Sequence, residues 1–185
     1  MKRIILSTGV VLFVVALVLS FSTTIQSHVE GNFKYIGVQK CAGACHKSDA
    51  QGKQLDIWQG SAHANAWKVL ESPEADKIAK DKGFGKASET PACIKCHVLG
   101  KDIDPSELTE TFDKTQGVQC ETCHGAGSEY KAMSIMKDKQ KAIENGLNVP
   151  SDIQSLCTGC HNSESPTFKS FNFDESWAKI QHKKP

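Results

Sequence analysis

Apolar residues recur at helical spacing in several stretches of the chain, and short polar connections separate these stretches. The periodicity predicts five helices, over 55–70, 72–82, 128–145, 151–160 and 174–182. The second helix has a marked start at Ser72 and Pro73 and a stop at Gly83. The third has Ser128 as its N-cap and Gly146 just past its end. No alternating strand pattern appears, so the predicted fold class is mostly α.

The N-terminal 27 residues have the pattern of an export signal. Two basic residues, Lys2 and Arg3, precede an uncharged apolar run over 4–21, and small polar residues follow. The apolar run approaches the length that spans a bilayer, roughly 18 residues or more. Two outcomes are open: cleavage near 22–27, or retention as an N-terminal membrane anchor. Either outcome predicts a domain over 28–185 that lies outside the cytoplasm, in the periplasm or another extracytoplasmic space.

The charge balance excludes one class of partner. The whole chain has 22 Lys and Arg against 21 Asp and Glu, and without its first 27 residues the balance is 20 against 21. A nucleic-acid-binding domain shows a basic excess or a basic stripe. The lysines here stand in mixed runs such as KDKQKAIENG, which are typical of solvated helix faces. We therefore expect no nucleic-acid partner.

All eight cysteines fall into four copies of one arrangement, two cysteines followed directly by a histidine. In chain order the four motifs read CAGACH, CIKCH, CETCH and CTGCH. Their cysteines are Cys41, Cys45, Cys93, Cys96, Cys120, Cys123, Cys157 and Cys160. The histidines that follow are His46, His97, His124 and His161. No cysteine is left over, which indicates that the motifs carry the main chemistry of the protein.

Three interpretations of the motifs compete with haem attachment. Disulfides in an oxidising compartment give no reason for a histidine behind every second cysteine. A thioredoxin-like site needs one CxxC on a βαβ background. A zinc site draws a second ligand pair from a distant stretch, and a histidine next to a bound cysteine cannot easily join the same tetrahedron. Covalent c-type haem needs this spacing, because both thiols bond to the macrocycle and the neighbouring histidine binds the iron as proximal ligand. The sequence therefore predicts four covalent c-type haems.

The first motif differs from the others, because three residues separate its cysteines instead of two. Cys41 and Cys45 both bond to the haem if the loop widens at Gly43, whose missing side chain permits unusual backbone angles. Otherwise only Cys45 is attached and Cys41 remains a free thiol. The sequence favours double attachment.

Three histidines remain as candidate distal ligands once the four proximal ones are assigned. Four irons with histidine on both sides would need eight histidines, and the chain has seven. We expect His63, on the first predicted helix, to be a distal ligand. We expect the same of His182, at the end of a helix that has Asp174 as its N-cap. His28 lies at the edge of the export segment, and we do not expect it to ligate.

Met133 and Met136 are further candidates for a distal ligand. They lie three residues apart on the third predicted helix, so they share one face. Methionine at helical spacing is also the usual filler of a hydrophobic core, and both interpretations stay open. A haem with a methionine ligand should have a higher reduction potential than its bis-histidine neighbours.

Several strings together resemble the cytochrome c-554 family of tetrahaem periplasmic cytochromes. They are YIGVQK before the first motif, SAHANAW around His63, CIKCHVLG, GVQCETCHGAG and LCTGCHN. The resemblance covers the chain from Tyr35 to about His182. It implies a small multihaem fold in which short helices and loops surround four covalent haems packed in close pairs. It also implies that one haem is five-coordinate, which agrees with the shortage of histidines.

The resemblance extends to the distal ligands in part. The family's distal histidine before the second motif maps to His63, and a late histidine maps to His182. Another distal histidine normally follows the third motif, where this chain has Tyr130, Met133 and Met136 instead. This departure and the wider first motif leave open how the haem of the first motif is ligated.

The resemblance implies a carrier that passes electrons between redox enzymes and membrane or soluble partners. We predict one-electron hopping between redox proteins, or exchange with a membrane quinol-linked complex, and no catalytic residue. Two alternatives are open. The protein could be a small nitrogen-oxide reductase at a five-coordinate haem, or a subunit of a haem filament or membrane redox complex.

Protein side chains alone would give the exported 158 residues only a modest core. We therefore expect the four macrocycles to supply much of the buried apolar surface. Six aromatic residues are candidates for haem contact or for ordinary packing: Trp58, Trp67, Phe168, Phe171, Phe173 and Trp177.

Overall fold

The computed structural model describes residues 32–182 of the chain. These residues form ten α-helices of four to nine residues, joined by 3-10 turns and loops. The helices are α1 Val38–Cys41, α2 Gln54–Gln59, α3 Ala66–Leu70, α4 Pro73–Asp81, α5 Pro91–His97, α6 Cys120–His124, α7 Met133–Met136, α8 Lys139–Glu144, α9 Ile153–Thr158 and α10 Phe173–Ile180. The one strand-like pairing in this part of the chain is an isolated parallel bridge between Tyr35 and Leu108. The predicted mostly α fold class is confirmed.

The export segment predicted over 1–27 and the histidine at position 28 lie outside the described residues. None of the helices formed by residues 32–182 combines the length and the apolar character needed to cross a bilayer.

Helix α4 begins and ends as the sequence predicts. The hydroxyl of Ser72 accepts a hydrogen bond from the N–H of Ala75 at 3.2 Å. Pro73 occupies the first helical position, where a missing N–H breaks no helical hydrogen bond. Gly83 follows the helix with a φ of 82°, a left-handed conformation that glycine adopts without strain.

The helix predicted over 55–70 is wrong as one continuous element. It consists of α2 and α3, separated by a turn and by a 3-10 turn over His63–Asn65. The hydroxyl of Ser61 donates to the carbonyl oxygen of Trp58 at 2.7 Å. A serine that bonds back to the preceding turn competes with helical backbone hydrogen bonds, which explains the break.

The helix predicted over 128–145 is also corrected. Ser128 is not an N-cap, because its hydroxyl accepts the backbone N–H of Lys34 at 2.9 Å. Two short helices, α7 and α8, replace the long one. Asp138 separates them and caps α8 by accepting the N–H groups of Gln140 and Lys141.

The other differences lie at one helix start and at the cysteine motifs. Asn172, not Asp174, caps α10, and its side-chain oxygen accepts the N–H of Glu175 at 3.3 Å. Helix α9 lies inside the predicted range 151–160. Helices α1, α5 and α6 were not predicted, because elements of four to seven residues are too short to show a helical period.

The main hydrophobic core of the described residues is small. It forms where α3 packs against α4 and α5, and its members are Trp67, Leu70, Ala79, Ala87, Val98 and Leu99. Across residues 32–182, twelve hydrophobic side chains are buried, and five of them are alanines. Val98 and Leu99 directly follow His97, so the core anchors the end of the second motif.

Candidate haem sites

Two pairs of histidine rings lie at the spacing expected for ligands of one iron. In the first pair, the ring centroids of His63 and His161 are 6.1 Å apart and the ring planes make an angle of 45°. A metal–imidazole bond is about 2.0 Å and the ring centre lies about 1.1 Å behind the nitrogen, so two imidazoles on opposite sides of a metal have centres about 6.2 Å apart. The spacing therefore fits an iron between His63 and His161.

The second pair joins the third motif to the C-terminal helix. The centroids of His124 and His182 are 6.0 Å apart, with 57° between the ring planes. His124 is the last residue of α6, and His182 follows α10 by two residues. This spacing fits an iron equally well. The sequence predicted that both His63 and His182 would lie near a haem, but it did not indicate which motif each would face.

No third pair of imidazole rings lies at this spacing among residues 32–182. His46 is half-buried in the 3-10 turn Ala44–Lys47, and His97 ends α5. The remaining histidine, His28, is outside the described residues.

Backbone contacts fix the position of His63. Its carbonyl oxygen accepts the N–H of Val118 at 3.0 Å, and the carbonyl oxygen of Val118 accepts the indole N–H of Trp58 at 2.7 Å. Gly117 allows this close approach, because a Cβ at this position would collide with the carbonyl oxygen of His63. Its φ of 73° also lies in the region that favours glycine. His63 is thus anchored to the segment that leads into the third motif.

Hydrogen bonds at Nδ1 orient two of the histidine rings. The Nδ1–H of His97 donates to the carbonyl oxygen of Ala66 at 2.7 Å. The Nδ1–H of His182 donates to the carbonyl oxygen of Ile180 at 3.0 Å. A donating Nδ1 leaves the lone pair of Nε2 free for a metal, and such outer partners orient most metal-bound histidines.

Burial favours the neutral form of the paired histidines. Burial lowers the pKa of His63, and the neighbouring His161 lowers it further. Burial also lowers the pKa of His161. Burial and the nearby His182 lower the pKa of His124, and a hydrogen bond to the Asn148 backbone partly offsets this. Iron binds the neutral imidazole, so each lowered pKa suits ligation.

Thiols of different motifs lie against each other. Cys41 of the first motif lies close to Cys120 of the third, and this interaction raises the pKa of Cys41 and lowers that of Cys120. Cys160 of the fourth motif lies close to Cys96 of the second and to Cys123 of the third. These contacts place the motifs in the spatial order first, third, fourth, second.

None of the eight cysteines forms a disulfide, and seven of them are half-buried. Burial raises the pKa of Cys123 to about 11 and that of Cys160 to about 12. Cys45 is the exposed one, in the widened first motif. Covalent c-type haem requires paired thiols beside oriented imidazoles, so the cysteines and histidines of the motifs fit this cofactor.

Glu121, between the two cysteines of the third motif, is a residue that the sequence did not single out. It is 1% exposed, and its carboxylate accepts the backbone N–H groups of Ile36, Gly37 and Gly127 at 2.9, 2.7 and 2.7 Å. Burial raises the pKa of this carboxyl, and the three hydrogen bonds offset part of the rise. Gly37 and Gly127 lie where the backbone approaches the Glu121 side chain closely. These two glycines were the only sequence signal that could have pointed to this contact.

The methionine candidates and the aromatic candidates occupy different environments. Met133 is 61% exposed and Met136 is half-buried, both on α7. Phe171 stacks on the ring of His161, with centroids 4.7 Å apart and 12° between the planes. Trp67 belongs to the protein core, which is the ordinary packing that the sequence left open.

Comparisons with known proteins agree with the geometry. The family model described as cytochrome c554 and c-prime matches residues 40–125. Cytochrome c-554 of Nitrosomonas europaea is 27% identical over 165 residues, which cover 80% of this chain and 67% of that protein. The C-type polyheme cytochrome OmcC of Geobacter sulfurreducens is 28% identical over 94 residues, 44% of this chain and 11% of that protein. No solved structure matches the chain.

Proposed function

We propose that the chain is an exported tetrahaem cytochrome of the cytochrome c-554 family, since the family model matches residues 40–125 and the cytochrome c-554 of Nitrosomonas europaea is 27% identical over 165 residues. It carries electrons by one-electron hopping between redox partners. The observation that carries the proposal is the pair of histidine couples, His63 with His161 and His124 with His182, at 6.1 and 6.0 Å. Each couple includes the histidine of a CxxCH motif, so attachment and axial ligation converge at the same place.

Each of the two histidine couples belongs to a complete set of haem-binding residues. Thioether bonds to two cysteines would hold each macrocycle, and the two histidines of the couple would bind its iron. The third-motif set is Cys120, Cys123, His124 and His182. The fourth-motif set is Cys157, Cys160, His161 and His63. The haem iron supplies the one-electron chemistry, and the protein supplies attachment, orientation and burial.

The arrangement of the motifs supports transfer along the molecule. The contact between Cys41 and Cys120 brings the first and third attachment sites together, and the contact between Cys96 and Cys160 does the same for the second and fourth. Because neighbouring attachment sites are in contact, electrons would pass from one haem to the next without a catalytic side chain between them. The expected partners are redox proteins or a membrane quinol-linked complex.

The proposed location of the protein rests on the sequence of residues 1–27. We propose that they direct the chain to the periplasm or another extracytoplasmic space, either as a cleaved signal or as a retained anchor. N-terminal sequencing of the mature protein separates the two outcomes.

The first and second motifs have no histidine partner within residues 32–182. Met136 and Met133 are the candidates for the first-motif iron. His97 of the second motif is held next to the apolar core by Ala66, and an open position there would suit a small nitrogen oxide as ligand. This is the second candidate function, reduction of such a molecule. A high-spin EPR signal that shifts when nitric oxide is added, together with turnover under reducing conditions, would support it.

Mass spectrometry and EPR of the purified exported protein test the main proposal. The intact mass should exceed that of the polypeptide by four haems, and at least two irons should be low-spin with two histidine ligands. A mass equal to that of the bare polypeptide would overturn the proposal. Variants with both cysteines of one motif replaced by serine should each lose one haem, including Cys41→Ser with Cys45→Ser.

A further inference from the structure

A cavity lined by lysines opens beside the first and third motifs. Its volume is about 430 Å³. Three of its lining residues are Lys34, Lys40 and Lys131, and Glu110 is the single acidic one. Leu108 adds apolar surface. We call this site the basic cavity.

The three lysines come from separate segments that a fixed frame holds together. Lys40 lies on α1. The backbone of Lys34 bonds to Ser128 in both directions: its N–H donates to the hydroxyl at 2.9 Å, and its carbonyl accepts the serine N–H at 3.1 Å. The N–H of Lys131 donates to the carbonyl of Gly127 at 3.1 Å. The fold therefore sets the backbone positions of these three lysines.

The basic cavity is unusual in its charge. Residues 32–182 contain 18 lysines and 20 acidic residues, so this part of the chain is slightly acidic. Six ion pairs form within it, and none of them involves Lys34, Lys40 or Lys131. The ammonium groups thus remain available for charges from outside the chain.

The basic cavity lies at the junction of two attachment sites. Lys131 is close enough to Cys41 and Glu121 for its charge to offset part of the rise in the pKa of both groups. Ile36, on the cavity lining, donates its N–H to the Glu121 carboxylate at 2.9 Å. Lys40 in the cavity lining directly precedes Cys41, and Glu121 directly follows Cys120, so a molecule bound here would lie near the first and third attachment sites.

We propose that the basic cavity docks an acidic face of a redox protein, so that electrons enter or leave at the first and third motifs. The proposal rests on the proposed electron-transfer function and adds the place and the charge of the partner. Three lysines that form no ion pair among the described residues complement the charge of an acidic face, and such complementarity steers the association of proteins. A small-anion site would instead use buried donors, and Glu110 would repel a free anion while it could pair with a basic residue of a partner.

The kinetics of reduction by a small acidic redox protein test the proposal. The probe is flavodoxin hydroquinone, and stopped-flow absorbance follows reduction of the haems of the intact holoprotein. The charge-reversal variant carries Lys34→Glu, Lys40→Glu and Lys131→Glu. The matched control carries Lys80→Glu, Lys139→Glu and Lys169→Glu, which change net charge equally at exposed positions outside the cavity.

We expect the charge-reversal variant to react at least about 10-fold more slowly at low ionic strength, because steering by charge changes association rates by this factor or more. The difference should shrink at high salt, and the control should stay within about 2-fold of the wild type. Equal slowing of both variants, or a wild-type rate that does not depend on salt, would overturn the proposal. The oxidation of the reduced holoprotein by ferricyanide, a small anion, is also measured. If the charge-reversal variant is slower only in this oxidation, the cavity is a small-anion site and the proposal is overturned.

Two further measurements keep this test separate from the electron-transfer proposal. The haem spectrum and the reduction by dithionite are recorded for every variant. A protein without haem absorbance contradicts the proposed function itself, whereas full reduction by dithionite with unchanged flavodoxin kinetics contradicts only the docking site. Neutral substitutions of the three lysines by glutamine should give an intermediate rate, and their thermal melts confirm that the fold is intact.

Discussion

The missing Cβ of Gly117 allows the backbone at Val118 to reach the carbonyl of His63. We predict that Gly117→Ala lowers the free energy of unfolding of the holoprotein by at least about 2 kcal/mol, because strain at positive φ adds to the steric collision. The substitution should also weaken the low-spin signal of the fourth-motif iron by displacing His63. Urea denaturation and EPR measure the two effects.

Gly85→Ala is the matched control for this prediction. A Cβ at position 85 would meet no heavy atom within 4 Å, and Gly85 lies outside the positive-φ region. Its replacement should change stability by less than about 1 kcal/mol. If both variants lose equal stability, the collision at Gly117 is not the cause.

Each distal histidine should control the spin state of one iron. We predict that His63→Ala turns the fourth-motif iron from low-spin to high-spin, and that His182→Ala does so for the third-motif iron, because removal of the distal imidazole leaves each of these irons with its proximal histidine alone. EPR of the oxidised protein counts the low-spin signals. The exposed Asn65→Ala should leave the count unchanged, and a histidine variant that also leaves it unchanged would contradict the assignment.

At the scale of the elements, the Glu121 carboxylate ties α6 to the segment before α1 and to Gly127. We predict that Glu121→Gln destabilises the holoprotein by about 2 to 4 kcal/mol, because an amide N–H₂ would face backbone donors and leave at least one of them without an acceptor. Urea denaturation measures the loss. Glu129→Gln, at an exposed position nearby in sequence, should change stability by less than about 0.5 kcal/mol.

The pKa of Glu121 predicts how its contribution to stability changes with pH. Burial raises the pKa of Glu121 in the folded protein above that in the unfolded chain, which is about 4.3. The folded state then binds the proton more tightly, so the contribution of Glu121 to stability is full below the unfolded pKa and falls as pH rises through the folded pKa. The loss caused by Glu121→Gln should therefore shrink over the pH interval above the unfolded value of about 4.3. A loss that grows over this interval contradicts the raised pKa.

Local signals in the sequence predict the elements that local contacts decide. Ser72 and Pro73 start α4 as expected, because cap and helix are adjacent in sequence. Ser128 and Lys34 are 94 residues apart, so no local pattern shows that the serine hydroxyl is already engaged. The spacing of the motifs indicates which residues bind haem. It gives no sign that His63 faces His161, because that pairing depends on the tertiary contact at Val118.

At the scale of the whole molecule, the described residues bury few large side chains. Five of the twelve buried hydrophobic residues are alanines, and the main cluster has only six members. A folded chain must offset roughly 1 to 2 kcal/mol of backbone entropy for each ordered residue, mostly through buried apolar surface. A core of this size is small for the 151 residues from 32 to 182. Covalently bound macrocycles would supply the additional apolar surface.

The haem-free protein should consequently lack a cooperative fold. We predict that a variant with all eight cysteines replaced by serine, which cannot be loaded covalently, shows reduced helix content and no sharp thermal transition by circular dichroism. The holoprotein should melt cooperatively under the same conditions. A variant that retains haem only at the third and fourth motifs should fall between them, because the two histidine couples would still join α6 to α10 and the His63 turn to the fourth motif. Native helix content and a sharp melt in the cysteine-free variant would show that the side chains alone specify the fold.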